Sequence, residues 1–363
     1  MNKEYKRIAA IDIGTVTCRL FVAETNGKEI KKLYKKSVIT NLGEGVDATG
    51  VLKSEAIARV CETVKEYLFT IDSLEHDVQL PATQEKTQLV VVATSASRDA
   101  KNANEFSEKM SALGAPLTII PGEREAQLSF LGASAGFENE MLLVVDSGGG
   151  STEVIVGKAG SAPLKSHSFD IGCRRITERF LHSDPPTKKE IDEARIWVRS
   201  QFEPYFDNLR EAFVLPSFDE VSERNEHTEK ICAQPLRSED SATCTNQVLS
   251  EDLHTRNQPL RAICVAGTAT TMVSIYKKLA VYDSSQVHGA SITTQQLDQI
   301  FELLSTFPLE QRKKVCGLQP QRAAVIVGGT LILQEVLRAA NLDSFTASES
   351  DILQGIILSA VQE

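Results

Sequence analysis

The chain has 363 residues, enough for two domains, and its 42% hydrophobic and 24% charged residues are ordinary for a globular protein. A formal net charge of −10 argues against nucleic acid as a partner, because charge-driven binding to a polyanion needs an excess of cations. The sequence shows neither a signal peptide nor an apolar run of roughly 20 residues, and its seven scattered cysteines form no Cys-x-x-Cys pair. We therefore expect a cytoplasmic protein with no membrane span, zinc site or disulfide framework.

The first half of the chain alternates predicted strands and helices, beginning with a β-hairpin. Its first strand ends at Asp12 and continues through Gly14 into the second strand, in the sequence IAAIDIGTVTCRLFVA. The hydrophobic periodicity predicts strands over residues 8–13, 18–24, 31–40, 88–93 and 117–120, and helices over residues 54–71, 104–113 and 123–132. Ser54 is the expected N-cap of the first helix. The polar segment ATSASRDAKN, which starts at residue 93, is expected to be a functional loop.

A second hairpin with the same pattern is predicted at residues 142–157, LLVVDSGGGSTEVIVG. It aligns without a gap with residues 8–23 at an offset of 134, so that Asp146 matches Asp12 and Gly148 matches Gly14. Glycine permits tight turns in which backbone N–H groups converge on an anion. The repeat predicts two similar α/β domains, each contributing one phosphate-binding turn.

Beyond the second hairpin the alternation of strands and helices continues. The remaining predicted strands cover residues 165–170 and 262–265, and the remaining predicted helices cover residues 172–180, 187–213, 272–279, 293–306, 320–340 and 350–361. Thr187 and Glu190 form a capping-box pattern, and Gly328 with Gly329 is interpreted as a turn. Residues 216–258 hold nine acidic and four basic residues with little apolar periodicity, so we expect a mobile, solvated insert.

Glycine turns, hydroxyl groups and arginines are the candidates for holding phosphate. Glycine turns and helix N-termini bind phosphate through backbone N–H groups, and hydroxyl side chains add further donors. The candidate donors are Thr15, Thr17, Gly148, Gly149, Gly150, Ser151, Gly267 and Thr268. Arg19 and Arg98 follow buried strands, where each can pair with two phosphate oxygens. The pattern leaves a solvated surface position equally open for both arginines.

Carboxylates near the hairpins are candidates for binding Mg²⁺ and for activating water. Asp12 and Asp146 end their strands beside the turns, and Glu153 lies across the hairpin from Asp146. Mg²⁺ prefers such sparse carboxylate coordination with retained waters, but Asp12 can instead only accept hydrogen bonds from its turn. Glu125 begins a helix after a Pro-Gly pair, where its carboxylate can accept a proton from water. Spacing alone does not distinguish it from Glu123, or from a partner of the helix dipole.

These motifs together resemble the exopolyphosphatase and guanosine pentaphosphate phosphohydrolase family, a branch of the superfamily that includes actin and the sugar and acetate kinases. The resemblance rests, in order between about residues 8 and 355, on AAIDIGTVTCRL, ATSASRDAKN, PGEREAQLSFLGA, VVDSGGGSTEVIVG, GTATT, VHGASIT, RAAVIVGG and LQGIIL. It implies two ribonuclease-H-like (actin-like) α/β domains with an interdomain cleft. The first would cover residues 1–122, completed by about 345–363, and the second residues 123–344 with the insert.

The resemblance also implies roles for single residues. Glu125 occupies the position of the family's catalytic base, and Arg98 that of a loop arginine. The family's phosphate-loop positions fall on Asp12, Gly14, Thr15, Arg19, Asp146, Gly148, Gly149, Gly150 and Glu153. The chain departs from the family where Thr15-Val16-Thr17 replaces Ser-Asn-Ser, and where Arg124 and Gln127 replace a glutamate and an arginine beside the base. We expect these departures to retune chain-length preference or metal affinity without abolishing activity.

The function implied is magnesium-dependent release of terminal phosphate from inorganic polyphosphate. Short chains are expected to be favoured, because the C-terminal helical domains of longer family members are not expected here. Hydrolysis of guanosine pentaphosphate stays open, since it needs the same chemistry plus a nucleoside contact. Two other classes also stay open: an actin-like ATPase or kinase, with Gly328-Gly329 on the adenosine side, and a polyphosphate-sensing protein without turnover. The family resemblance is compatible with a homodimer.

Overall fold

Two mixed β-sheets, each covered by helices, form the described part of the chain. The structure is a computed structural model that describes residues 5–76, 86–212 and 260–361. Its strands are β1 (Lys6–Ile13), β2 (Thr17–Thr25), β3 (Ile30–Ile39), β4 (Gln88–Ala93), β5 (Thr118–Ile119), β6 (Met141–Ser147), β7 (Thr152–Lys158), β8 (Pro163–Phe169), β9 (Arg261–Val265), β10 (Ser291–Thr293) and β11 (Ser344–Ala347). Its α-helices are α1 (Val46–Thr49), α2 (Ser54–Glu75), α3 (Ser95–Asp99), α4 (Ala103–Ala112), α5 (Gly122–Ser134), α6 (Cys173–Phe180), α7 (Lys188–Ala212), α8 (Ala266–Tyr276), α9 (Ser284–Val287), α10 (Thr294–Thr306), α11 (Leu309–Arg312), α12 (Ile326–Ala339) and α13 (Ile352–Ala360), and a 3₁₀ turn (Pro320–Arg322) precedes α12.

The first sheet has the strand order β3-β2-β1-β4-β5. Its central strand β1 pairs antiparallel with β2 and parallel with β4. β1 is buried on both faces, which explains its nearly continuous apolar sequence. On one face Ile11 joins a hydrophobic core that includes Val60 of α2, and on the other face Ile8 joins a core that includes Ile356 of α13.

The second sheet, of strand order β10-β11-β9-β6-β7-β8, repeats this arrangement. Strand β6 pairs antiparallel with β7 and parallel with β9, as β1 does with β2 and β4. The hairpin turns also agree, because the Gly14 N–H donates to the Thr17 carbonyl at 2.9 Å and the Gly148 N–H donates to the Ser151 carbonyl at 3.0 Å. The prediction of two similar, ribonuclease-H-like α/β units is confirmed.

Helices α5 and α13 cross at two glycines. A Cβ atom on Gly132 of α5 would lie 1.8 Å from the Asp351 carbonyl oxygen, and one on Gly355 of α13 would lie 1.9 Å from the Leu128 carbonyl oxygen. Only glycine allows the two backbones to approach this closely. Helix α5 also packs against β6, β7 and β8, whereas α13 packs against β1 and β2. The crossing therefore links elements of the two sheets.

Three local predictions are wrong. Ser54 does not cap α2, because it is the first residue of the helix and the N-cap position belongs to Lys53, without a capping side chain. The segment after β4, expected as a loop, forms the short helix α3. Gly328 and Gly329 are not a turn, since both lie buried within α12. A Cβ atom on Gly328 would lie 2.7 Å from the Cys173 carbonyl oxygen, so the glycine serves close helix packing.

The capping box at the start of α7 is confirmed. The Thr187 N–H donates to Glu190 Oε2 at 2.7 Å, and the Glu190 N–H donates to Thr187 Oγ1 at 3.3 Å. The short strands β10 and β11 are absent from the sequence prediction. The acidic insert predicted at residues 216–258 lies outside the described residues. None of the described helices is both long and apolar enough to cross a membrane.

Candidate active site

A cavity of about 70 Å³ lies between the two hairpin turns, where β1 and β6 end. Ligands of α/β proteins commonly bind at the carboxyl ends of parallel strands. The cavity brings together most of the residues predicted from the sequence: Asp12, Thr15, Thr17, Arg19, Glu125, Asp146, Gly148, Gly149, Gly150, Ser151, Gly267 and Thr268. Two predicted residues, Arg98 and Glu153, do not line it.

The tips of the two hairpin turns touch each other. A Cβ atom on Gly149 would lie 2.6 Å from Val16 Cγ2, and one on Gly150 would lie 2.5 Å from Ser95 Oγ and 2.7 Å from Thr15 Oγ1. The approach of the two turns therefore requires glycine at both positions. Val16, which departs from the family's loop sequence, packs in an apolar cluster with residues from the second half of the chain.

Glu125 is the buried carboxylate of the first turn of α5. It is 8% exposed, whereas Glu123 is exposed, because residues two apart on a helix point in nearly opposite directions. Arg98 Nη1 donates to Glu125 Oε2 at 2.5 Å and to the Ile120 carbonyl at 3.1 Å. Burial raises the pKa of Glu125 to about 7, against the lowering effects of the Arg98 charge and hydrogen bond. A carboxylate with such a pKa is matched to proton transfer near neutral pH.

Three further buried carboxylates lie near Glu125: Asp12, Asp146 and Glu153. Burial raises the pKa of Asp146 to about 6, while Ser129 Oγ donates a hydrogen bond to Asp146 Oδ2 at 2.5 Å. Burial also raises the pKa of Asp12, against the Arg19 charge. The pKa of Glu153 is raised well above its ordinary value by burial first and by the neighbouring carboxylates second. Four buried carboxylates, including Glu125, thus lie close together at or beside the cavity.

The carboxylates provide oxygen ligands that fit Mg²⁺. Asp12 Oδ1 is buried and accepts no hydrogen bond from any described residue, and Asp146 lines the same cavity. Mg²⁺ commonly takes one or two carboxylates and keeps several waters. In residues 5–76, 86–212 and 260–361, no three His, Cys, Asp or Glu side chains form a complete metal cage. Glu153 is outside the cavity lining, so a direct metal contact from it stays a prediction.

Both predicted arginines are paired with carboxylates. Arg19 donates through Nε and Nη2 to Asp12 Oδ2 at 2.9 and 2.6 Å, and through Nη1 to Asp351 Oδ2 at 2.5 Å. Arg98 donates to Glu125 through Nη1 alone. In this arrangement the two arginines orient carboxylates, and their contacts with phosphate stay a prediction.

Arg322 is a cavity residue that the sequence analysis missed. Its guanidinium lies against the start of α8, since a Cβ atom on Gly267 would be 2.0 Å from Arg322 Nη1. No carboxylate of the described residues forms an ion pair with it, and its Nε donates only to the Gln319 side chain at 3.1 Å. Such a guanidinium is suited to binding phosphate oxygens. Arg322 begins the RAAVIVGG segment on which the family resemblance rests, but its place in the cavity depends on how the 3₁₀ turn packs against α8.

The junction of β9 and α8 lies beside Arg322. Ala266 has a φ of 66°, in the left-handed region that residues with a Cβ atom rarely adopt. Such backbone strain recurs at functional sites. Gly267 and Thr268 follow in the first turn of α8, as predicted, and both line the cavity.

The sequence matches a family model described as the Ppx/GppA phosphatase family over residues 21–255 and 228–363. Exopolyphosphatase 2 of Mycobacterium tuberculosis is 32% identical, over 97% of this chain and 98% of that protein. A solved exopolyphosphatase-like protein is 30% identical, with a TM-score of 0.75 over 99% of this chain and 98% of the other. A solved PPX-GPPA enzyme of Aquifex aeolicus is 26% identical, with a TM-score of 0.69 over 98% of this chain and 100% of the other.

Proposed function

Because the chain belongs to the Ppx/GppA phosphatase family and is a phosphoanhydride hydrolase, we propose that it releases the terminal phosphate of inorganic polyphosphate with Glu125 as the base. The observation that carries this proposal is the position of Glu125. Its buried carboxylate, with a pKa of about 7, lines the same cavity as the two glycine turns. A base beside the phosphate site favours water as the acceptor.

The reaction joins water to the terminal phosphorus and breaks its anhydride bond. The water oxygen attacks phosphorus while Glu125 accepts the proton, and the shortened polyphosphate leaves with the bridging oxygen. Arg98 fixes the orientation of the base through its 2.5 Å contact. Backbone N–H groups at Gly149 and Gly150, with nearby hydroxyls, bind the phosphate oxygens, whereas the Gly148 N–H is already donated to the Ser151 carbonyl. Positioning and charge stabilisation of this kind account for most catalysis of phosphoryl transfer.

We propose Mg²⁺ as the cofactor, held by Asp12 and Asp146 with waters completing its shell. The buried Asp12 Oδ1, which has no hydrogen-bond partner among the described residues, supports this assignment. A bound divalent cation would neutralise part of the charge on the phosphate oxygens. Glu153 pairs with Asp146 across the hairpin but does not line the cavity. We propose that its carboxylate contributes negative charge to the same Mg²⁺ site.

Polyphosphate is preferred to guanosine pentaphosphate as the proposed substrate. The cavity lining is mainly carboxylates, arginines, glycines and hydroxyls, and none of the described residues that line it has an aromatic side chain to stack on a base. The small cavity also supports a preference for short chains. The kinase alternative loses its adenosine-side turn, because Gly328 and Gly329 are inside α12.

The test is phosphate release by the wild type and by Glu125→Gln in the presence of magnesium. Tripolyphosphate, long-chain polyphosphate, guanosine pentaphosphate and ATP are compared in parallel. Glu123→Gln is the matched control, because it neutralises an exposed carboxylate in the same helical turn. We expect Glu125→Gln to lose turnover by about a hundredfold or more while still binding polyphosphate, and Glu123→Gln to behave as the wild type.

Each substrate decides between functions. Turnover of guanosine pentaphosphate alone would replace polyphosphate as the substrate. A wild type that binds polyphosphate without turnover would indicate a sensing protein. Equal rates in Glu125→Gln and the wild type would exclude Glu125 as the base.

A further inference from the structure

Helix α6 carries three arginines that donate to residues in the first half of the chain: Arg174, Arg175 and Arg179. Arg175 donates to Asp47 Oδ1 through Nη1 and to Asp99 Oδ2 through Nη2, both at 2.5 Å. Arg179 donates to both oxygens of Asp47, at 2.5 and 2.8 Å. Two arginines of one half of the chain are therefore held by two aspartates of the other.

These ion pairs lie beside the catalytic cavity. Arg175, Asp47 and Asp99 line a second, smaller cavity of about 20 Å³. Both cavities are bordered by the contact between the hairpin tips, because Thr15, Ser95, Gly149 and Gly150 line each of them. The second cavity has room for about one water molecule. A larger ligand can enter it only if a side chain moves out.

Two polar atoms around the second cavity have no hydrogen-bond partner among the described residues. They are Ser95 Oγ, on the wall shared with the catalytic cavity, and Arg174 Nε. Ser95 is 2% exposed, and buried donors are normally satisfied. Both atoms can donate a hydrogen bond. The ligand that would satisfy them is therefore an acceptor, as are the carboxylates already on Arg175 and Arg179.

We propose that α6 forms a second phosphate subsite, in which phosphates further along the polyphosphate chain displace Asp47 and Asp99 from Arg175 and Arg179. The inference rests on the proposed function and extends it to chain length. Phosphate oxygens bind guanidinium groups with the same two-point geometry as carboxylates. Ser95 lines both cavities, so its hydroxyl can donate to a phosphate in either of them.

The exchange makes the aspartates competitors of the substrate. Removing the charge of Asp47 frees Arg179 and one side of Arg175, while Asp99 still accepts from Arg175 Nη2. Long chains should therefore bind more tightly. Removing the charge of Arg175 removes the subsite, so long chains bind less tightly. If the ion pairs only held the two halves of the chain together, both substitutions would change KM in the same direction. Losing either partner would break the same ion pair.

The test is steady-state kinetics of Asp47→Asn and Arg175→Gln with tripolyphosphate and with long-chain polyphosphate. Arg199→Gln is the matched control, since it breaks an arginine ion pair with Glu335 outside both cavities. For long chains we expect the KM of Arg175→Gln to rise about tenfold and that of Asp47→Asn to fall about threefold. Both changes should be smaller for tripolyphosphate, and absent in the control.

Opposite shifts in KM would support the subsite. Shifts of the same sign in both variants, or no shift in either, would overturn it. The outcome is separate from that of the proposed function, because a wild type that releases no phosphate from either substrate would reject polyphosphate hydrolysis before any shift in KM could be measured. If Arg175→Gln fails to fold, the KM of Asp47→Asn for long chains still tests the subsite. A lower KM supports it, and an unchanged or higher KM overturns it.

Discussion

Burial raises the pKa of Glu125, the proposed base, and the contact with Arg98 opposes that effect. Activity needs the charged carboxylate, which predominates above its pKa of about 7. The value of kcat/KM should therefore rise with pH through about 7 and level off above it. The Arg98 charge and hydrogen bond both lower this pKa, so they extend activity toward lower pH.

Arg98→Met tests this contact. The substitution removes both effects on Glu125, so the acid limb of the profile should move to higher pH by about one to three units. The measurement is kcat/KM for tripolyphosphate as a function of pH. Arg98→Lys keeps the charge and should move the limb less. An unchanged acid limb in Arg98→Met would show that Arg98 does not tune the base.

Arg322 gives a prediction of a different kind. Since its guanidinium lines the cavity without a carboxylate partner among the described residues, Arg322→Met should raise the KM for tripolyphosphate by about tenfold. Its stability should change little, because the only described hydrogen bond goes to the side chain of Gln319. Kinetics and thermal unfolding of the same preparation measure both effects. A wild-type KM in Arg322→Met would show that Arg322 does not bind the substrate.

The sequence indicated many cavity residues but not their partners. Asp12 and Asp146 were predictable because each ends an apolar strand before a glycine turn. Glu125 and Glu123 were indistinguishable by spacing, and only burial separates them. Arg19 donates to Asp351, which is 332 positions away in the chain. No local sequence pattern can predict such a contact.

At the scale of elements, Arg312 holds together the segment that carries Arg322. It is 4% exposed and donates to three backbone carbonyls: Leu304 at 2.8 Å, Ala323 at 3.0 Å and Phe307 at 2.9 Å. One side chain thus ties the end of α10 to the residue after the 3₁₀ turn. Buried carbonyls of this kind are costly to leave without a donor.

Arg312→Met should lower the free energy of unfolding by about 3 kcal/mol, because three buried carbonyls lose their donor. Denaturant unfolding measures the loss. Lys313→Met is the control, since among the described residues the neighbouring Lys313 pairs only with the exposed Glu310. Equal stability of the two variants would mean that water replaces the arginine at little cost.

Elements were predictable where the periodicity was local. Strand β4 has the predicted bounds, and both hairpins lie where the repeat places them. The Gly328-Gly329 pair was misread, because glycine marks turns and close helix packing alike. Strands β10 and β11 have three and four residues, too few to show an alternation.

At the scale of the whole molecule, the matches over nearly the full chain confirm the family resemblance and the class of enzyme. We propose that the domains divide near residue 122 and that about 345–363 return to the first domain. The packing of α13 against β1 and β2 supports this division. The amino-acid pattern alone could not provide it, because α13 lies more than 300 residues from β1 in the chain.

Gly355→Ala tests the crossing that links the two sheets. The added methyl group would lie 1.9 Å from the Leu128 carbonyl oxygen, so the free energy of unfolding should fall by about 3 kcal/mol or more. Gly136→Ala is the control, because a Cβ atom there meets nothing within 4 Å. Thermal unfolding of both variants measures the difference. A Gly355→Ala protein as stable as the control would show that α5 and α13 can move apart freely.

The two repeated hairpins differ in charge at one matched position. Opposite Asp12 the first hairpin has Arg19, whereas opposite Asp146 the second has Glu153 at the same place in its repeat. Two identical turns would offer a linear, symmetric polyphosphate two equivalent ways to bind. One cationic and one anionic partner remove that equivalence. A polyphosphate chain, if it is the substrate as proposed, would then place its terminal phosphate at only one of the two turns, the one beside Glu125.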